Sequence, residues 1–169
     1  MLEQADSWWN DNFAPRMVGL SDDEYFWEPV AACWNVRPQP GGGFAPDWAM
    51  PAPDPPPVTT IAWRLCHIGS GVLAVRNHDH FDGPAFDVAG TGWPGTAADA
   101  LAWIDDGFHR WSAGVRGLSD ERLAAPVGPT AGRWGHLPMA GLVLHIHREL
   151  IHHGAEACLL RDLYRARDD

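Results

Sequence analysis

Leu142-Val143-Leu144-His145-Ile146-His147-Arg148-Glu149-Leu150-Ile151-His152-His153-Gly154-Ala155-Glu156 lies in the longest uninterrupted helical pattern of the chain, which follows Pro138 and continues to about Arg165. On a helix turning about 100° per residue, with Leu142 as the origin, Ile146 falls at about +40°, Glu149 at about −20° and His153 at about +20°. Leu160 returns to the direction of Leu142. This phase places Glu149 and His153 one turn apart within an apolar stripe, with His147 opposite, on the solvated side. His145 and His152 flank the stripe, at about −60° and about −80°. A carboxylate facing a bundle core is costly unless paired, protonated or bound to a cation.

Three further segments carry the helical period. Residues from about Leu2 to Leu20 space Trp8, Trp9, Phe13, Met17 and Leu20 by threes and fours, with Pro15 a point where the helix kinks or ends. Ser21-Asp22-Asp23-Glu24 then reads as a capping box. The second long helix opens at Thr59 or Thr60, aligns Ile61, Leu65, Ile68, Val72 and Val75, and reaches about His78. The third opens at Thr96 and runs to about Leu118, with Leu101, Trp103, Ile104, Phe108, Trp111 and Val115 as its apolar set. Between the first two helices, eight prolines fall between Pro38 and Pro57 around Gly41-Gly42-Gly43, which predicts a segment without regular structure. Such a loop is either a solvated crossover or a lid carrying Phe44, Trp48 and Met50 over a site. Together these features predict an all-α four-helix bundle with a long first crossover, one domain over residues 1–169.

Composition narrows the partners. The chain has no lysine, 12 basic residues against 22 acidic ones and a formal charge of −10, so nucleic acid and anionic membrane surfaces are not expected partners. No apolar run approaches the ~20 residues of a membrane span. The N-terminus has neither the basic start nor the apolar stretch of a signal peptide, and Cys33, Cys66 and Cys158 form no CxxC pair. The expectation is a reduced, cytoplasmic protein acting on a small molecule.

Glu149 and His153, at i and i+4, are close enough to share a divalent ion such as zinc, iron or nickel. His67, on the second helix beside Trp63, Gly71 and Ala74, is the natural third donor from a facing helix. The same residues also fit a buried Glu149–His153 ion pair and a core His67 satisfied by a hydrogen bond. Two rival metal motifs fail. A zincin HExxH needs His where Arg148 stands, and Glu149-x-x-His152 lacks the second ExxH of a di-iron bundle. Cys66 points about 100° from His67, and no G-x-S-x-G occurs.

The block from Val143 to Glu156, followed by Leu159-Leu160-Arg161-Asp162-Leu163-Tyr164-Arg165, resembles the last helix of the DinB-like superfamily. Trp63-Arg64-Leu65-Cys66-His67-Ile68-Gly69 resembles the start of its second helix. Leu20-Ser21-Asp22-Asp23-Glu24 and Trp34-Asn35-Val36-Arg37-Pro38 are similar to its first connection. The resemblance implies a four-helix bundle, often a homodimer, holding one divalent metal by a histidine on helix two and a pair on helix four. The usual pair is HxxxH. Here it is ExxxH, the form of mycothiol-dependent maleylpyruvate isomerases, which implies His67, Glu149 and His153 as ligands. Related proteins transfer or isomerise with mycothiol, bacillithiol or glutathione. The implied function is a thiol S-transferase or isomerase acting on a small electrophile, with zinc first among the metals and nickel or iron as alternatives. Arg148 and Arg64 are candidates for binding carboxylate or sugar groups, and His145 and His152 for a supporting base. A non-catalytic metal-binding or stress-associated protein and a metal-dependent hydrolase are the alternatives.

Overall fold

Thr60 and Thr96 each accept a hydrogen bond from the backbone N–H three residues on, at Trp63 and Asp99, the side-chain cap that starts a helix and contributes about 1 kcal/mol. Ser21 and Glu24 form the reciprocal capping box read from the sequence. The computed structural model describes residues 2–88 and 90–167. Its helices are α1 over residues 2–17, α2 at Asp22–Phe26, α3 over residues 61–80, α4 at Ala97–Arg116, α5 at Asp120–Ala124 and α6 at Met139–Arg165. The fold is all-α: α1, α3, α4 and α6 pack around one core, in which Trp9 stacks on Phe108 at 4.3 Å and Trp111, Leu65, Ile104 and Leu150 are buried.

Helix α1 passes through Pro15 without ending. The six residues before Ala14, Trp8–Phe13, are π-helical, and the wider i→i+5 turn accommodates a ring that would clash with the carbonyl four residues back. Helix α3 is also π-helical over Ile68–Ala74, immediately after His67.

The Pro/Gly-rich connection holds more regular structure than its composition indicates. Strands β1 (Val36–Pro38) and β2 (Phe44–Pro46) pair antiparallel, Val36 with Pro46 and Pro38 with Phe44. Gly42 and Gly43 supply the positive φ of the turn. Trp34 closes the base of the loop by bonding Val58 O and Thr60 N.

Helix α6 is rotated from the phase expected on a Leu142–Leu160 axis. Its buried residues are Met139, Val143, Ile146, His147, Leu150, His153, Gly154, Ala157, Cys158 and Arg161, whereas Leu142 and Leu160 are only half-buried. The core-facing line therefore lies about a quarter turn from Leu142, near Leu150. Glu149 sits at the rim of the apolar stripe rather than within it. His147, expected in solvent, is buried edge-on to Trp111 at 6.4 Å, and burial lowers its pKa. His78, His109 and His136 are exposed, and His80 is half-buried.

Gly154, beside His153, lets Trp8 of α1 lie against α6. A Cβ there would stand 2.1 Å from Trp8 Cη2, and Trp8 is itself stacked on Phe13 at 5.3 Å. Gly154→Val is expected to cost about 1–3 kcal/mol by overpacking, read as a lower denaturation midpoint at unchanged m-value.

Candidate metal centre

Three side chains from two helices converge at the rim. His67 of α3 and Glu149 and His153 of α6 each offer a donor atom, and the three atoms lie within 4.8 Å of one another. Glu149 Oε2 and His153 Nε2 are 3.2 Å apart, and the His67 and His153 rings meet edge to face at 4.6 Å. Tetrahedral donors about 2.1 Å from a zinc ion are separated by about 3.4 Å. The Glu149–His153 pair is already close to that spacing.

The imidazole of His67 makes no hydrogen bond among the described residues. It is half-buried, stacked on Trp63 at 5.4 Å and 12°, with Gly71 alongside: a Cβ there would lie 4.0 Å from His67 Nδ1. Burial, followed by the neighbouring His153 and Arg64, pushes its pKa down to about 4. The ring is therefore neutral at physiological pH, the protonation state in which histidine binds metals. A core histidine satisfied by hydrogen bonding, the bland alternative for this position, is not what the structure contains.

Glu149 is divided between two partners. Its Oε1 accepts from Arg148 at 2.9 Å while Oε2 faces His153. Burial alone raises its pKa, but the Arg148 hydrogen bond and the nearby His145 and His153 outweigh burial and leave it below the ordinary carboxylate value. It is thus an anion at neutral pH, and a short carboxylate–imidazole pair at the end of an open stripe suits a divalent cation.

The supporting candidates have defined places. His145 Nδ1 meets Arg148 Nη2 at 2.7 Å and stands 3.7 Å from Glu149. His152, mostly exposed, faces Glu156 at 3.4 Å rather than the three-donor group. Arg64 points inward: its Nε lies 3.0 Å from Glu156 and its Nη1 3.3 Å from His153 Nδ1. It is therefore engaged within the protein and not presented to a ligand. Glu156 escaped the sequence reading. It lies three residues after His153, on the same side of the helix, and that spacing was the available signal.

The long loop flanks the site through Asp47 and Trp48. Trp48 stacks on Trp63 at 6.4 Å and 9°, and Trp63 Nε1 donates to Asp47 O at 2.8 Å. Phe44 instead packs near Phe26 and Gly95, and Met50 is exposed. Of the three side chains proposed for a lid, only Trp48 reaches the site's aromatic wall.

A model of the DinB superfamily matches residues 6–157, from the first helix through the donor-bearing last one. The chain belongs to the DinB superfamily. No curated protein and no solved structure matches the chain. The DinB superfamily is metal-binding, and the all-α bundle with its His/Glu groups agrees with that assignment. No described helix of this DinB-like chain is long and apolar enough to cross a membrane.

Proposed function

We propose that this DinB-like protein is a divalent-metal-dependent enzyme that transfers or rearranges a small electrophile with a low-molecular-weight thiol of the mycothiol type. The observation that carries the reading is His67: a neutral, half-buried imidazole without a hydrogen-bond partner among the described residues, held beside an aligned Glu149–His153 pair. His67, Glu149 and His153 would hold the ion. Three protein donors with an open position are the layout of a catalytic zinc site, and nickel and iron also suit this donor set. When bound, the metal supplies positive charge that lowers the pKa of a thiol from about 8.5 towards neutrality.

The rest of the site supports a thiol brought from outside. Cys33, Cys66 and Cys158 are buried, and burial pushes the Cys66 thiol up to about 12 and that of Cys158 upward. None of them is a ready nucleophile. Arg148 is mostly exposed; its Nε and Nη2 contact Glu149 and His145. Its Nη1 makes no hydrogen bond among the described residues, so it is a candidate to meet a carboxylate on a thiol or substrate. Trp63, with Trp48 stacked on it, forms an apolar flank. In a transfer the thiol sulfur bonds to the electrophilic carbon, the thiol proton passes to solvent and the leaving group departs with its bonding electrons.

The test is metal quantification on protein purified without chelators, then assay of zinc, nickel and iron forms with monochlorobimane and mycothiol, bacillithiol or glutathione. One divalent ion per chain and metal-dependent acceleration with at least one thiol are expected. Metal bound but no acceleration with any thiol would overturn the transferase reading in favour of a metal binder or hydrolase. No bound ion, even after reconstitution, would overturn the site itself.

A further inference from the structure

Glu156 has three partners, each from a different residue. Its Oε2 lies 2.8 Å from His153 Nδ1 and 3.0 Å from Arg64 Nε, and its Oε1 lies 3.4 Å from His152 Nε2. A carboxylate only accepts hydrogen bonds and an arginine only donates them. Glu156 Oε2, at 2.8 Å, draws the proton to Nδ1, whereas Glu149 Oε2, 3.2 Å from Nε2, and Arg64 Nη1, 3.3 Å from Nδ1, favour the other tautomer. The contact to Glu156 is the shortest of the three. With the proton on Nδ1 the lone pair is on Nε2, the atom 3.2 Å from Glu149 Oε2. Arg64 comes from α3, the helix that carries His67, so its ion pair with Glu156 also ties the two halves of the donor group together.

We infer that Glu156, clamped by Arg64, is a positioning residue that fixes the tautomer and orientation of His153 and so selects Nε2 as the donor atom. The inference rests on the metal reading for its consequence but not for its geometry. It also decides between two overlapping donor groups. His152, His153 and Glu156 likewise lie within 4.8 Å of one another. There, however, the Arg64 guanidinium already occupies the cation's place, with Nε beside Glu156 and Nη1 beside His153 Nδ1. A second positive charge is repelled from that side and accepted on the other. A carboxylate behind a metal-binding histidine also raises its basicity, and loss of such a partner typically weakens metal binding 10–100-fold.

Long-range ¹⁵N–¹H spectra of the metal-free protein at pH 8.5 read directly which ring nitrogen carries the proton. The wild type is expected to show His153 protonated at Nδ1. Glu156→Ala is expected to shift it towards the Nε2–H form, and Glu156→Gln, whose amide oxygen still accepts the proton, to keep it largely in place. In competition with a chromophoric zinc chelator, Glu156→Ala is expected to bind zinc about 10–100-fold more weakly. Glu156→Gln should fall between it and the wild type, and His152→Ala should bind as the wild type does. An unchanged His153 tautomer in folded Glu156→Ala would overturn the inference. So would loss of zinc in His152→Ala, which would put the ion on the other group. A wild type that shows the Nδ1–H tautomer but binds no zinc would leave the clamp standing and sink the metal reading instead.

Discussion

Glu24→Ala is expected to lower the folding free energy by about 3–5 kcal/mol, the cost of leaving a buried charge without its partner. Glu24 Oε1 accepts from Arg161 Nε at 2.9 Å and Arg165 Nε at 3.1 Å, and Oε2 accepts from the Ser21 backbone N–H at 2.9 Å. Arg161 is 2% exposed and also donates to the Arg16 carbonyl, so no water replaces the lost carboxylate. The substitution removes half of the α2 capping box as well. Burial raises the Glu24 pKa, but the hydrogen bonds from Arg161 and Ser21 and the charge of Arg161 outweigh it and bring it from 4.5 down to about 2. A depressed folded-state pKa means that the unfolded chain binds the proton first. The contribution, on the order of 3 kcal/mol, is therefore complete above about pH 4.5 and is lost as the pH falls through about 2. Denaturation curves of wild type and Glu24→Gln between pH 7 and pH 2 should converge at the acid end. Parallel curves would show that the pair is not the source of acid sensitivity.

This ion pair illustrates where the sequence is readable and where it is not. Helix starts depend on a side chain and a backbone N–H three residues away, so Ser21, Thr96 and the pair Thr59 or Thr60 were legible as starts, and the structure caps with Ser21, Thr60 and Thr96. The rotation of α6 about its axis depends on what packs against it. Its buried face includes Arg161 and His147 and the small residues Gly154 and Ala157, whereas a hydrophobicity pattern favours Leu142 and Leu160. The expected phase was consequently wrong by about a quarter turn. The proximity of Glu149 and His153 is unaffected by that error, because the angle between positions i and i+4 does not depend on the helix's phase. The β1–β2 hairpin was hidden by its own prolines. Pro38 and Pro46 lie at strand ends in a two-stranded ribbon, where a missing N–H is tolerated. Glu156 was half legible: its spacing of three from His153 is visible in the sequence, but its pairing with Arg64, 92 positions earlier in the chain, is not.

Removal of a single donor is the substitution expected to change metal binding most. His67→Ala takes away the only member of the group contributed by α3 and leaves Glu149 and His153 as an ion pair on one helix. Two donors on one helix turn hold a divalent ion far less tightly than three on two helices. The loss should exceed the 10–100-fold typical of an outer partner, so the variant should purify without stoichiometric metal. Glu149→Gln and His153→Ala are expected to lose the ion as well, while His145→Ala retains it. Helical circular dichroism should be preserved in all four, since His67 and Glu149 lie at the rim and His153 beside it. Thermal unfolding supplies an independent measure. Free zinc at 100 times its dissociation constant stabilises a protein that binds it only when folded by about 2.7 kcal/mol. The wild type should therefore melt higher with zinc than with a chelator, and His67→Ala should melt at the same temperature in both. If His67→Ala kept a stoichiometric ion and the same zinc-dependent rise in melting temperature, the third donor would have to be a different residue.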